Sequence, residues 1–373
     1  MAIATPPDRP SSRSPNRWFA LIAIGLGLFL AFVIGELGVR LFVDFADEQP
    51  GRVAGVDPEH PTRFLAGTSH RYRSQEFDYT VEFNRFGRRD IDWDAPTIQE
   101  PSNILFIGDS FVLGNGLEYE ETIPTQLEGQ LAEQGREAQV FNFGLPGGGP
   151  PEYLALFEEA VQEGFAASTV VVMLFVGNDF YPSVLDNPAF DAERRKELIR
   201  RREAAPTPGF RSQLIQFVRL RLAQSAAAVD WALRVSDLLG IQVYSSPTSY
   251  IFQRRLLPEQ QKTFDAILAS LDGMRRLADE SGRHLLVVVT PNRVQVENNN
   301  ALTTATMEAA APNRRIMQLC EALEVQCLDL LPLLTQETLE SSEALYYPID
   351  RHLTPRGAAF VTSAIGALLL ERE

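Results

Sequence analysis

Histidine and cysteine are scarce in this chain: four of the first and two of the second among 373 residues. Two cysteines, Cys320 and Cys327, exclude a disulfide-stapled scaffold. No Cys/His cluster with ligand spacing accompanies them, so the sequence calls for no metal and no cofactor. Positive charge is also short. Lys and Arg total 34 against 49 Asp and Glu, a formal charge of -15, which argues against a nucleic-acid partner because phosphate binding needs a basic surface. That balance says nothing against a neutral glycan or a lipid. What the chain has in quantity is apolar material, 45% of its residues, ample for a globular core. Its length allows two domains, although one α/β domain of this size is common.

One long uncharged run stands out, WFALIAIGLGLFLAFVIG from Trp18 to Gly35. At about 1.5 Å rise per residue, a helix of that length reaches roughly 27 Å, enough to span a hydrocarbon core with its flanks. Arg9, Arg13 and Arg17 precede it, while Asp44, Asp47 and Glu48 follow. The charge bias predicts a cytoplasmic tail over 1–17, a single-pass anchor over 18–43, and the rest of the chain extracytoplasmic, periplasmic in a Gram-negative cell. A cleaved signal peptide is the other reading, but its apolar core is usually shorter, and no small-x-small cleavage site follows.

Residues 44–100 are polar and turn-rich, a linker with one alternating stretch, Tyr79 to Phe83, that predicts an edge strand. Beyond it, strands and helices alternate. Strands are expected at 103–107, 139–143, 169–176, 285–290 and 325–330. Helices are expected at 123–134, 151–163, 259–281, 312–323 and 355–370. Strands that are apolar throughout, as in TVVVMLFV from Thr169 to Val176, are buried on both faces and belong to a parallel sheet covered by helices. The rhythm breaks over about 182–258. There the charged 191–203 and the amphipathic 211–240 predict an inserted helical subdomain. Its Arg-rich run reads as a solvated helix face, with a polyanion contact as the sharper alternative.

The chemistry sits at strand ends. Gly108-Asp109-Ser110 follows the first apolar strand and presents a hydroxyl at the carboxyl edge of the sheet, where open α/β folds bind ligands. Serine needs a base held by a carboxylate. Of the histidines, His60 and His70 lie in the polar segment and His284 opens a strand. His352 alone has an aspartate two residues earlier, Asp350, and a helical stretch after it. A tetrahedral intermediate also needs donors aimed at its oxyanion. The glycine-rich turn Asn142 to Pro150 and the Gly177-Asn178-Asp179 turn both fall on the same rim.

These four blocks, in this order over roughly residues 100–370, resemble the SGNH/GDSL hydrolase superfamily. The resemblance implies a flavodoxin-like three-layer αβα sandwich with a five-stranded parallel sheet, within a domain spanning 101–373. It implies Ser110 as nucleophile, His352 as base and Asp350 as its orienting acid. Ser110 N–H, Gly147 N–H and the Asn178 side chain become the oxyanion donors, with Gly144 the alternative to Gly147. Phe111 stands where the family name has leucine. The Asp-x-His spacing, shorter than the usual Asp-x-x-His, resembles the membrane-anchored extracytoplasmic branch of polysaccharide O-acetylesterases and O-acetyltransferases. Asn84 to Asp90 (NRFGRRD) resembles a segment found upstream in anchored members; no catalytic role is assigned to it.

The resemblance therefore implies an acyl-Ser110 intermediate formed from an ester of a cell-envelope glycan or lipid. Water as the second nucleophile gives an esterase, and a sugar hydroxyl gives an acyltransferase. The alternative from another class is an inactive anchored module that keeps the fold for binding or assembly. A metal-dependent phosphoesterase lacks its ligand cluster. Cys320 and Cys327, with six residues between them and lying between a helix end and a strand, either pair in an oxidising compartment or stay as two small buried side chains.

Overall fold

The computed structural model describes residues 17–42, 55–57, 59–180, 212–223, 249–297 and 305–371, with positions 193, 196, 197, 302 and 303 besides. Its sheet has five parallel strands: β3 (Ile104–Gly108), β4 (Val140–Gly144), β5 (Thr169–Phe175), β6 (His284–Thr290) and β7 (Gln326–Asp329), in the order β4-β3-β5-β6-β7. The sequence-predicted strands all form, shifted by a residue or two at their ends.

Side-chain alternation explains the layers. Leu105, Ile107, Val170, Val172, Val287 and Val289 share one core, while Ile104, Phe106, Val171, Met173, Leu286 and Val288 share the other. The first core is closed by α5 (Pro150–Gln162), α7 (Pro258–Glu280) and α9 (Ala311–Ala322). The second is closed by α4 (Ile123–Glu133), α10 (Leu330–Glu340) and α11 (Pro355–Leu370). Full burial of each such aliphatic side chain stabilises by roughly 1.5–3 kcal/mol. The three-layer α/β/α architecture is therefore as expected.

Strand order places the site. After β3 the chain moves outward to β4, then returns across β3 to β5. The strand order reverses between β3 and β5, and ligands bind at such a switch point, outside the carboxyl ends of the strands. Ser110 follows β3 and Asn178 follows β5.

Two features differ from the sequence reading, and a third settles an alternative that it left open. The Tyr79–Phe83 stretch is not an edge of this sheet. Its strand, β2 (Asp78–Glu82), pairs antiparallel with the unforeseen β1 (Ser69–Arg73) in a separate two-stranded sheet. Tyr79 and Val81 turn inward onto Phe64, Phe83 and Leu113, so the alternation is satisfied by a local cluster. The run after β7 is helical: Asp329 caps α10, its carboxylate accepting Leu331 N–H at 3.0 Å. And Cys320 and Cys327 are bonded, Cα atoms 6.3 Å apart, tying the end of α9 to the start of β7.

The short α2 (Ala95–Ile98), α3 (Ser110–Leu113) and α8 (Arg293–Glu297) complete this compact unit. A second unit contains α1 (Arg17–Phe42) and most of α6 (Gln213–Ala223). Within α1, Trp18–Phe42 is long and apolar enough to cross a membrane, as an anchor or a signal sequence would be. Glu36 near its end caps α6, accepting from Ser212 Oγ at 2.7 Å and from the Gln213 and Leu214 amides at 3.0 Å each. Apart from positions 193, 196 and 197, the helix expected at 191–203 lies outside the described residues, as does the remainder of 211–240.

Candidate active site

The turn that carries Ser110 is built by close approach. A side chain at Gly108 would meet Val112 Cγ2 at 2.5 Å and Met173 O at 3.1 Å, so only glycine lets the chain turn here. Asp109 caps the four-residue α3, its Oδ1 accepting Phe111 N–H at 2.9 Å, and Ser110 becomes the first helical residue. The Ser110 N–H is thus one of the unsatisfied first-turn amides of a helix, a donor suited to an oxyanion. Asn142 on β4 locks this turn: its Nδ2 donates to Val112 O at 3.1 Å and its Oδ1 accepts Gly144 N–H at 3.0 Å.

His352 comes to the same rim across 242 residues, with Nε2 2.6 Å from Ser110 Oγ. Its Nδ1 lies 2.5 Å from Asp350 Oδ1. The Asp-x-His spacing works because Arg351 between them takes a left-handed backbone, φ +75°. Such a conformation costs a non-glycine residue roughly 1–2 kcal/mol, and here it turns both side chains toward one partner. Two anchors offset that cost. Tyr347 N–H donates to His352 O at 2.8 Å, and the Glu76 carboxylate accepts the Ile349 and Asp350 amides at 2.9 and 2.7 Å. Desolvation raises the Glu76 pKa, while those two amides pull it back down. Phe111 packs against the imidazole, centroids 4.9 Å apart, and against Phe175 at 4.5 Å.

The remaining predicted residues line the turns after β4 and β5. Leu145 N–H donates to Gly108 O at 2.8 Å, which seats the glycine-rich turn beside the Ser110 turn. Gly147 takes φ +65° there, and its N–H has no acceptor among the described residues. The Gly144 N–H is spent on Asn142. Asn178 Nδ2 donates to Gly148 O at 2.9 Å and to Asp179 Oδ1 at 3.0 Å, so its amide bridges the two turns in this state. Service to an oxyanion requires one of those protons to be redirected when substrate arrives, as catalytic hydrogen bonds often tighten only then.

Beneath this rim lie two fully buried carboxyls. Asp179 also meets Tyr153 Oη at 3.0 Å and Phe175 N at 2.9 Å. Burial, reinforced by the neighbouring Asp109, holds its pKa well above the usual carboxylate range. Burial likewise pushes Asp109 up to about 6, against the Phe111 amide and the His352 charge, which pull it down. A raised folded-state value means that stability is full below the unfolded pKa and is lost as pH rises to about 6. Asp109→Asn removes that loss. Its melting temperature relative to wild type should therefore climb between pH 4 and pH 7, by the equivalent of about 3 kcal/mol at most. Thermal unfolding across that range reads the slope; a difference independent of pH would show that Asp109 bears no buried charge.

The NRFGRRD segment reaches the site without touching the triad. Arg89, 1% exposed, donates to Leu113 O, Gly114 O and Leu117 O at 2.9, 2.6 and 2.6 Å, closing the carboxyl end of α3. Burial lowers its pKa to about 10, so it stays charged at neutral pH. Arg88 donates to Thr62 O at 2.7 Å and pairs with Glu159 at 2.9 Å. Sequence reasoning missed the contributions of Glu76, Tyr79, Arg89 and Asn115 to this geometry. The one available signal was Asn115 between two glycines directly after the nucleophile block.

Residues 250–373, which carry Asp350 and His352, match the family model described as ALGX: SGNH hydrolase-like domain, acetyltransferase AlgX. No curated protein matches the sequence. Among solved structures the chain is similar to the acetyl xylan esterase AlAXEase: 13% identity, TM-score 0.41, 71% of this chain and 98% of that chain covered. It is also similar to an acetyl-xylooligosaccharide esterase from Geobacillus Stearmophilus: 14% identity, TM-score 0.41, coverage 72% and 94%. A two-domain esterase active on acetylated mannans gives 12% identity, TM-score 0.40, coverage 74% and 50%. Likenesses of this size carry no argument about activity. Among the described residues no cluster of three or more metal-ligating side chains is present.

Proposed function

We propose that the protein is a serine ester hydrolase or O-acyltransferase that removes or transfers acyl groups, acetyl foremost, on a cell-envelope glycan or lipid. The supporting observation is the line Ser110 Oγ, His352 Nε2, His352 Nδ1, Asp350 Oδ1, with steps of 2.6 and 2.5 Å. His352 takes the hydroxyl proton as Ser110 attacks the ester carbonyl, and Asp350 holds the tautomer that makes Nε2 the acceptor. The Ser110 and Gly147 amides, joined by Asn178, receive the oxyanion. The imidazolium then returns its proton to the departing alkoxide, leaving acyl-Ser110. Water or a sugar hydroxyl, deprotonated by the same imidazole, releases the acyl group.

In this reading α1 anchors the catalytic unit at the outer face of a membrane, with Arg9, Arg13 and Arg17 inside. The test is fluorophosphonate labelling of the full chain in its membranes, followed by peptide mapping and a carbonate wash. Label on Ser110 in the washed membrane pellet is expected. Label on another serine removes the mechanism; no label, with the fold intact, promotes an inactive binding module.

A further inference from the structure

The catalytic imidazole has a second neighbour at Nδ1. Asn115 Nδ2 lies 3.2 Å from it, on the turn that follows α3. The same residue donates its backbone N–H to Ser110 O at 3.0 Å, so one residue is tied to Ser110 through its backbone and to His352 through its side chain. Glycines on both sides, Gly114 and Gly116 at φ +84° each, give the chain the turn that aims it there. The far end of the amide is held by Tyr79, whose Oη lies 2.7 Å from Asn115 Oδ1 and whose ring is 3% exposed on β2.

Two donors cannot share one contact. When His352 serves as base, Nδ1 carries a proton, so the amide atom facing it must be an acceptor. The ends of an amide have the same shape, and their assignment follows from the hydrogen-bond network. Exchanging them brings Oδ1 to Nδ1–H and Nδ2 to Tyr79 Oη, and a phenol hydroxyl accepts as well as it donates.

We propose that Asn115, oriented by Tyr79, is a positioning residue for the catalytic base, its amide oxygen being the second acceptor of the His352 Nδ1–H. The inference rests on the serine-hydrolase reading and adds to it a requirement on the first turn after the nucleophile. As the Ser110 proton passes to Nε2, the positive charge of the imidazolium is then shared between the Asp350 carboxylate and the Asn115 carbonyl. The ring is fixed in plane by two acceptors and by Phe111. The other charged or titratable groups around it are Asp109 from the β3–α3 turn, Glu76 and Tyr79 from the β1–β2 sheet, and Tyr347 from its own loop. All of these stay unchanged in the two Asn115 variants that are titrated.

Two substitutions give opposite signs. Asn115→Leu keeps the size and removes the acceptor; Asn115→Asp replaces it with a charge. The full chain in detergent is titrated by NMR with histidine ring carbons labelled, the His352 signal being assigned by its loss in His352→Ala. Asn115→Leu should move the His352 midpoint down and Asn115→Asp should move it up, by about one pH unit or more. With p-nitrophenyl acetate, Asn115→Leu should lower kcat at least tenfold with KM little changed, and Tyr79→Phe should give a smaller loss of the same kind. An upward midpoint shift in Asn115→Leu would show that the amide presents its NH₂ group, and an unmoved midpoint in both variants would show a purely structural residue; either overturns the proposal. Opposite midpoint shifts in the two Asn115 variants, in a protein that neither turns over ester nor labels at Ser110, defeat the hydrolase reading alone, since the NMR readout does not need turnover.

Discussion

Ester turnover by the Ser110→Ala protein should fall by roughly 10⁴–10⁶, with its melting temperature close to that of wild type. The contrast follows from the turn. Ser110 enters α3 through its backbone, and the cap that starts the helix is the Asp109 carboxylate, not the serine hydroxyl. Alanine is a good helix former and leaves Gly108, Asn142 and Arg89 in place. What disappears is the 2.6 Å contact with His352 and with it the covalent step. Rates on a chromogenic acetyl ester, set beside thermal melts of both proteins, measure the two quantities. A variant that keeps a tenth of wild-type turnover would place the nucleophile elsewhere.

The second large effect belongs to the base. His352→Ala should match Ser110→Ala, and the double variant should be no worse than either, because a triad fails as a unit. Asp350→Asn should cost about 10⁴ in kcat, since an amide facing Nδ1 favours the wrong tautomer. That loss is interpretable because Glu76 holds the loop through the Ile349 and Asp350 amides, which the substitution does not touch. His60, His70 and His284 should tolerate alanine. Additive losses in the double variant, or an Asp350→Asn enzyme within tenfold of wild type, would contradict a coupled Ser-His-Asp unit.

Much of this was legible in the sequence because it is written locally. Apolar strands of five to seven residues, each followed by a helix, state a covered parallel sheet, and Ser110 and Asn178 are announced by their position after β3 and β5. The Ser-His-Asp arrangement was readable for a second reason: four histidines leave little choice, and His352 alone has an aspartate two residues before it. The parts that escaped notice depend on long-range contact. Tyr79 reads as one inward residue of an alternating strand, and nothing local shows that its hydroxyl meets Asn115, 36 residues away. Glu76 sits in a polar turn and acts on a loop more than 270 residues downstream. The β1–β2 sheet was misplaced because alternation fixes which face of a strand is buried but not which partner covers it. Arg351 escaped because a left-handed arginine has no sequence signature. Glycine or asparagine would have advertised that turn.

The 242-residue interval between Ser110 and His352 also sets an order of events in the life of the chain. Synthesis proceeds from the amino end, so β3, β4 and β5 can pair while the base does not yet exist. The hydroxyl at the end of β3 is then an ordinary alcohol, unable to attack an ester it meets. Only when β6 and β7 have added to the sheet and α11 has docked on α4 does the imidazole arrive, bringing its acid with it. Under the proposed mechanism, reactivity toward esters therefore comes only after the five-stranded sheet is complete. A ribosome or translocon stalled anywhere in that interval would hold an assembled half-sheet that is chemically silent.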